Sequence, residues 1–218
     1  MTRTTHNQHI SDAARRTLAP LGVRQRGRSR TWVDDRGWWV IVVEFQPSSW
    51  ARGTYLNVGA MWLWRRTDHL AFDHGYRVER FQEFRGEADF AVQAALVAER
   101  AAEEVQRLRA QFADMAAVAR VLAADARSDG WRQYHAAIAA GLAGDRTTAA
   151  VCLDALAAPR SDDPAWLSDL RAWAREIRGP IDRPADFVAY LDSVVRDTRA
   201  GLKLPLFNGS VSSLQHGQ

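Results

Sequence analysis

The chain has 218 residues, of which 47% are hydrophobic and 25% charged, so it has the composition of a folded protein with a sizeable core and not of a disordered one. A single cysteine excludes a disulfide framework and any metal site built from several cysteines. Basic residues exceed acidic ones by 29 to 26, and the excess lies in residues 1–86, where 14 arginines accompany 8 acidic residues.

The sequence pattern predicts neither a signal peptide nor a membrane-spanning helix. Residues 1–9 lack the apolar core of a signal peptide. The longest apolar runs, residues 38–43 and 60–64, are far shorter than the roughly 20 residues that a membrane-spanning helix needs. We therefore expect a cytoplasmic protein with no membrane partner.

The first half of the chain carries strand signals. A short helix is predicted over residues 10–21, before Gly22. Residues 38–46 (WWVIVVEFQ) are dense in aromatic and β-branched side chains, which is typical of a strand, and residues 54–64 and 76–84 are further strand candidates. The short connections between these segments predict antiparallel neighbours in a meander.

From Glu87 the apolar spacing changes to three and four residues, which indicates either one long helix to Leu122 or two helices with a break near residues 112–114. Further helices are predicted over residues 131–143, 146–158, 164–178 and 184–202. The sequence thus predicts an α+β fold, with an antiparallel β-sheet packed on helices and a C-terminal α-helical bundle. The expected domains are residues 1–127 and 128–202, followed by a flexible tail at 203–218.

Three stretches, LGVRQRG at 21–27, GWWV with EFQ and SW within 37–50, and YLNVG at 55–59, resemble a bacterial family known as domain of unknown function 4304. This resemblance covers residues 8–115 and implies an antiparallel sheet flanked by helices, without implying an activity. Residues 131–159 are similar to one tetratricopeptide-type helical hairpin. That repeat's tryptophan-leucine-glycine start is not matched and no second copy is evident, so a general helical hairpin is the alternative.

Six of the nine tryptophans lie within residues 32–64, close to most of the excess arginines. Rings interleaved with arginine are typical of surfaces that bind single-stranded nucleic acid, because bases stack on the rings and guanidinium groups hold phosphates. The alternative is that strand tryptophans fill a core. Trp50 differs from the others because it lies in a loop of proline, serine and glycine, and it is the candidate binding residue among them.

Arg24, Arg26, Arg28 and Arg30 recur at every second residue, so an extended segment would place all four on one side. Such a row is a candidate contact for phosphate or carboxylate groups. An edge strand protected by its charge is the alternative interpretation.

Glu44, Gln46 and Asn57 are polar residues on otherwise apolar strands. Depending on the register, they share a face with Arg77 or Glu79. They then either line a ligand-binding cleft or form a structural hydrogen-bond network.

The pairs Asp68-His69 and Asp73-His74 contain residue types that bind zinc, manganese or iron. Their five-residue spacing puts the pairs on no common face, so we predict an exposed loop and no metal site.

No phosphate-binding glycine loop, nucleophile elbow or HExxH motif is present, and Cys152 lies among apolar neighbours as a core residue would. We predict no catalytic residue and no cofactor.

These observations favour a non-enzymatic adaptor that binds another protein through its C-terminal helices or through the tryptophan-bearing edge of the sheet. The alternative is a nucleic-acid-binding accessory protein that uses the arginine row and Trp50. A third hypothesis is an enzyme in which Glu44, Asp73 and His74 lie within hydrogen-bond reach of one another in a cleft. The oligomeric state stays open.

Overall fold

A computed structural model describes residues 5–125, 130–158 and 165–212 of the chain. Within these residues, five strands form one antiparallel sheet in which the strands follow one another in chain order. One helix precedes the sheet and the others follow it. The predicted α+β fold, with an antiparallel meander followed by helices, is confirmed.

The strands are β1 (Arg24–Gln25), β2 (Thr31–Asp35), β3 (Trp39–Gln46), β4 (Gly53–Trp62) and β5 (His74–Glu83). β3, the strongest strand prediction, is the central strand. Its side chains are buried on both faces as far as Val43, and only Glu44 and Gln46 near its end are half-buried. The polar end of this strand therefore lies at the surface, where a site is possible.

The helices are α1 (Thr5–Leu18), α2 (Glu87–Gln111), α3 (Met115–Asp125), α4 (Gly130–Leu142), α5 (Arg146–Ala157), α6 (Ala165–Arg178) and α7 (Pro184–Gly201). The long apolar stripe after Glu87 belongs to two helices, with the break at residues 112–114. Asp114 explains the break, because its side chain accepts a hydrogen bond of 2.7 Å from the N–H of Ala117 and thereby caps α3. Among the described helices, none has both the length and the apolar character needed to cross a bilayer.

The described chain divides into two compact units. The first comprises residues 5–61 and 70–110, and the second comprises residues 62–69, 111–125, 130–158 and 165–212. The predicted domain boundary at 127 and 128 lies outside the described residues. Residues 62–69 and 111–125, which the sequence analysis places with the sheet, belong to the second unit because Trp62 and Trp64 pack there, with Phe112 against the ring of Trp62.

The predicted row of four arginines does not form. β1 ends at Gln25, and residues 26–30 make the turn into β2, in which Gly27 has a φ of +57°. A turn directs successive side chains differently, whereas the predicted row requires an extended segment. Arg24, Arg26, Arg28 and Arg30 therefore share no strand face.

Residues 203–212, which the sequence analysis assigns to a flexible tail, are held on α7. Val211 is buried, and its N–H donates to Asp192 at 2.8 Å. The Nε–H of Arg199 donates to the carbonyl of Pro205 at 3.1 Å. The remainder of the predicted tail, residues 213–218, lies outside the described residues.

Candidate functional site

The sheet brings together the three polar residues that the sequence analysis singles out on β3 and β4. The side-chain amide of Asn57 donates to Glu44 Oε2 at 2.9 Å and to Gln46 Oε1 at 3.0 Å. Arg77 of β5 joins them, because its Nη2 donates to Gln46 Oε1 at 2.8 Å and its Nε to Asn57 Oδ1 at 3.4 Å. Of the two partners predicted on β5, Arg77 is the one that shares this hydrogen-bond network.

Three aromatic residues extend the same surface from Arg77. We call these four residues the aromatic–arginine cluster: Trp50, Tyr55, Arg77 and Phe81. The ring of Phe81 lies 4.8 Å from that of Trp50 and 5.0 Å from that of Tyr55, centre to centre, in tilted geometry. The guanidinium carbon of Arg77 lies 4.1 Å from the ring centre of Tyr55, which is a cation–π contact. Trp50 at the end of this series is 71% exposed. The cluster thus presents a large apolar ring to solvent at one end and a cation at the other, with Phe81 and Tyr55 between them.

The loop between β3 and β4 places Trp50. Ser48 turns the chain by accepting a hydrogen bond of 3.2 Å from the N–H of Trp50 at its hydroxyl oxygen. At the start of β4, Gly53 has a φ of +152°, and a Cβ there would lie 2.1 Å from the carbonyl oxygen of Gln82 and 2.7 Å from the ring of Phe81. The absence of a side chain at Gly53 therefore lets β5 and Phe81 come close to the loop.

We expect Gly53→Ala to displace Phe81 and to destabilise the first unit by about 1–3 kcal/mol, since a backbone oxygen and a ring must both move. Because Phe81 lies against Trp50, the indole N–H resonance of Trp50 should shift as well. Thermal unfolding and nuclear magnetic resonance of the indole N–H groups would measure the two effects, with Gly86→Ala as the control, because a Cβ at Gly86 meets open space. Equal effects at the two glycines would contradict this role of Gly53.

The sequence pattern did not indicate Tyr55 and Phe81 as members of the surface. Tyr55 lies two residues before Asn57 on β4, and this spacing places the two on one face of a strand. Phe81 had no such signal, because the pairing of β4 with β5 shifts register between Thr54 and Leu56 and again between Leu56 and Asn57. Bulges of this kind change which residues lie opposite each other, so sequence alternation alone does not place Phe81.

The same bulges affect the outer edge of β5, where the sheet ends. A bulged edge strand is a poor template for adding another strand, because its peptide groups no longer form a flat and regular row. Arg77, Glu79, Arg80 and Glu83 also place charges of both signs along it. The exposed surface of interest is therefore the face that carries the cluster and not the edge.

The arginines predicted as a row have separate environments. Arg24 and Arg28 are exposed, and Arg26 is half-buried within the turn. The guanidinium group of Arg30 is turned inward, where Nη1 donates to the carbonyl of Gly53 at 3.0 Å and to that of Phe45 at 3.4 Å. Burial lowers the pKa of Arg30 to about 10. Of the four arginines, Arg30 is the one whose side chain is hydrogen-bonded to Gly53, at the start of β4 and three residues after Trp50.

The other five tryptophans of residues 32–64 are core residues. They are Trp32, Trp38, Trp39, Trp62 and Trp64, and each is buried. For these residues the core interpretation is the one that the structure shows, and Trp50 alone among the six is exposed.

The register separates the residues of the enzyme hypothesis. His74 lies opposite Ala60, whereas Glu44 is bound to Asn57, three residues away along β4. Strand residues three apart lie on opposite faces and about 10 Å apart along the strand, so His74 and Glu44 are not within hydrogen-bond reach. In the parts of the chain that the structure describes, no group of three or more histidine, cysteine or acidic side chains is placed to hold a metal ion.

The second unit also brings rings and arginines together, since the guanidinium carbon of Arg65 lies 4.0 Å from the ring centre of Trp131. These rings are less available than Trp50, because Trp131 and Trp173 are both half-buried. Trp166 on α6 is 48% exposed, but no ring of the described residues lies against it. Arg66 is already bound, since its Nη2 donates to Glu176 at 2.7 Å and to the hydroxyl of Tyr190. We therefore place the candidate site on the first unit.

No family model, no curated protein and no solved structure matches the chain.

Proposed function

We propose that the protein is a non-enzymatic protein-binding module whose docking surface is the aromatic–arginine cluster. The partner is an extended peptide segment that places an aromatic or apolar side chain on Trp50 and a carboxylate against Arg77. The observation that carries the proposal is the exposure of Trp50. This ring begins a series of contacts that runs through Phe81 and Tyr55 and ends at Arg77.

The energetics of the cluster support a binding role. Tryptophan, tyrosine and arginine are the residue types that contribute most to binding energy at protein interfaces. Burying the exposed ring of Trp50 contributes on the order of 3 kcal/mol. The contact with Phe81 also limits the positions of this ring before binding, which reduces the entropy that a partner must remove.

Arg77 supplies the polar part of the surface. Its guanidinium group has five N–H donors, of which the two hydrogen bonds to Gln46 and Asn57 use two. These bonds and the ring of Tyr55 fix its position, while the residue itself is exposed. A carboxylate fits the remaining donors, because a guanidinium group binds carboxylates through paired hydrogen bonds.

The charge around the cluster favours a peptide over a nucleic acid. Glu44 is half-buried in the same network and repels a polyanion. The arginines of residues 24–30 form no row along which a phosphate backbone would lie. Base stacking on Trp50 stays the competing hypothesis and forms one arm of the test.

A peptide-display selection tests the proposal. The wild-type protein should enrich peptides that combine an aromatic with an acidic residue, and Trp50→Ala should bind these peptides about 30-fold more weakly, equivalent to about 2 kcal/mol. Trp166→Ala is the matched control, because it removes an exposed tryptophan from the second unit. It should bind the selected peptides as the wild type does.

Two results would contradict the proposal. One is the enrichment of the same peptides by Trp50→Ala. The other is binding of a labelled single-stranded oligonucleotide that needs Trp50 and weakens steeply with salt, which would support the nucleic-acid hypothesis because phosphate contacts release counterions.

A further inference from the structure

Two arginines near the start of β4 have no acidic partner among the described residues. The side chain of Arg30 donates to the amide oxygen of Asn7 and to the carbonyls of Gly53 and Phe45, all of which are neutral. Arg52 is exposed, and its backbone carbonyl accepts from the N–H of Phe84 at 2.9 Å. Partly burying a cation among neutral acceptors costs more free energy than partly burying it beside an anion. The surroundings of Arg30 therefore carry a positive charge that no acidic side chain of the described residues compensates.

A third basic group lies at the same place. The ring of His6, in the first turn of α1, is 5.8 Å from the ring of Phe84 and 6.4 Å from that of Phe90, centre to centre. Burial lowers the pKa of His6, and the positive charges of Arg30 and Arg52 lower it further. Arg30 lies in the turn before β2 and Arg52 in the loop before β4. Near the two rings that His6 contacts, Glu83 and Arg85 form an exposed ion pair of 3.0 Å, and Asp89 lies one residue before Phe90.

We infer that His6, Arg30 and Arg52 form a binding site for an oxyanion, such as a carboxylate, phosphate or sulfate group. Guanidinium groups bind such anions through paired hydrogen bonds, and the imidazole adds a donor on protonation. The site adjoins the aromatic–arginine cluster at Gly53, whose carbonyl accepts from Arg30 and where an added Cβ would meet the ring of Phe81. It does not require that the proposed protein-binding function be correct.

The first test is a calorimetric titration of the full chain with sulfate at constant ionic strength, with chloride as the balancing salt. Arg52→Gln should weaken sulfate binding about tenfold or more, as the loss of a charge-assisted hydrogen bond does. Arg24→Gln is the control, since it removes one exposed arginine from the same unit and should leave the affinity unchanged. The melting temperature without sulfate shows that each variant is folded.

The second test uses pH. Bound anion stabilises the protonated imidazole and raises the pKa of His6, so binding takes up a proton and the sulfate affinity should increase as the pH falls from 7.5 to 5.5. Sulfate keeps its charge in this range, so the change reports the protein. In His6→Gln the dependence should become flat.

Titrations with phosphate and with acetate then identify the anion. Tighter binding of phosphate indicates a phosphate group as the natural ligand, and tighter binding of acetate indicates a carboxylate. The inference is overturned if none of the three anions binds, or if Arg24→Gln and Arg52→Gln weaken sulfate equally, because equal losses indicate general screening.

Discussion

We expect Trp64→Ala to lower the free energy of unfolding of the second unit by about 3–5 kcal/mol, the range measured when a buried aromatic ring is truncated. The side chain of Trp64 is buried, and its ring stacks on that of Trp62 at 5.5 Å. Its Nε1–H donates to Nδ1 of His135 at 3.0 Å. Alanine would remove the ring and the hydrogen bond together.

Amide hydrogen exchange across α4, the helix that carries His135, would measure this loss for the second unit alone. Trp64→Phe separates most of the ring packing from the hydrogen bond, because it keeps a six-membered ring and removes the N–H donor with the five-membered ring, with an expected loss of about 1–3 kcal/mol. Trp166→Ala, at an exposed position of the same unit, should have little effect. If it destabilised the unit as much as Trp64→Ala, the core role of Trp64 would be wrong.

The second large effect is expected at Asp34 on β2. Its carboxylate is 5% exposed and accepts two hydrogen bonds from Arg109 on α2, of 2.8 Å from Nε and 2.9 Å from Nη2. Arg109 also donates to the carbonyl of Leu21 at 2.7 Å, and its bond with Asp34 raises the pKa of the guanidinium group. The side chain of Arg109 therefore ties α2 to the sheet and to the segment that follows α1.

Asp34→Asn should lower the free energy of unfolding of the first unit by about 3 kcal/mol, because it leaves a guanidinium group that is only 25% exposed without its counter-charge. Hydrogen exchange of β2 and β3 would measure the change. Glu103→Gln breaks an exposed ion pair of 2.8 Å with Arg100 and should have little effect, as exposed pairs usually do. A loss at Asp34 no larger than at Glu103 would mean that the buried pair does not anchor α2.

The segments with the clearest sequence pattern were predictable, because the structure that their side chains favour locally is also the one that buries them. Residues 38–46 combine aromatic and β-branched side chains, and they form the buried central strand β3. The prediction of an arginine row was wrong because the local pattern there disagrees with the backbone. Its period of two implies an extended segment, but Gly27 and the bond from the N–H of Ser29 to the carbonyl of Arg26 make a turn there.

The candidate site was predictable only in part. Glu44, Gln46 and Asn57 were evident as polar residues on apolar strands, but whether they meet depends on strand register, which the sequence leaves open. Phe81 joins Trp50 through a bulged pairing of β4 with β5, a tertiary feature with no local signal. The resemblances to domain of unknown function 4304 and to a tetratricopeptide-type hairpin stay predictions.

The docking role of the aromatic–arginine cluster is tested most directly by nuclear magnetic resonance of the tryptophan side chains. The indole N–H signal of Trp50 is assigned by its loss in Trp50→Phe, and a peptide selected on the wild-type protein is then added. We expect this signal to shift progressively until it saturates, while the signal of Trp166 stays in place. A Trp50 signal that does not move while the peptide binds would contradict the account.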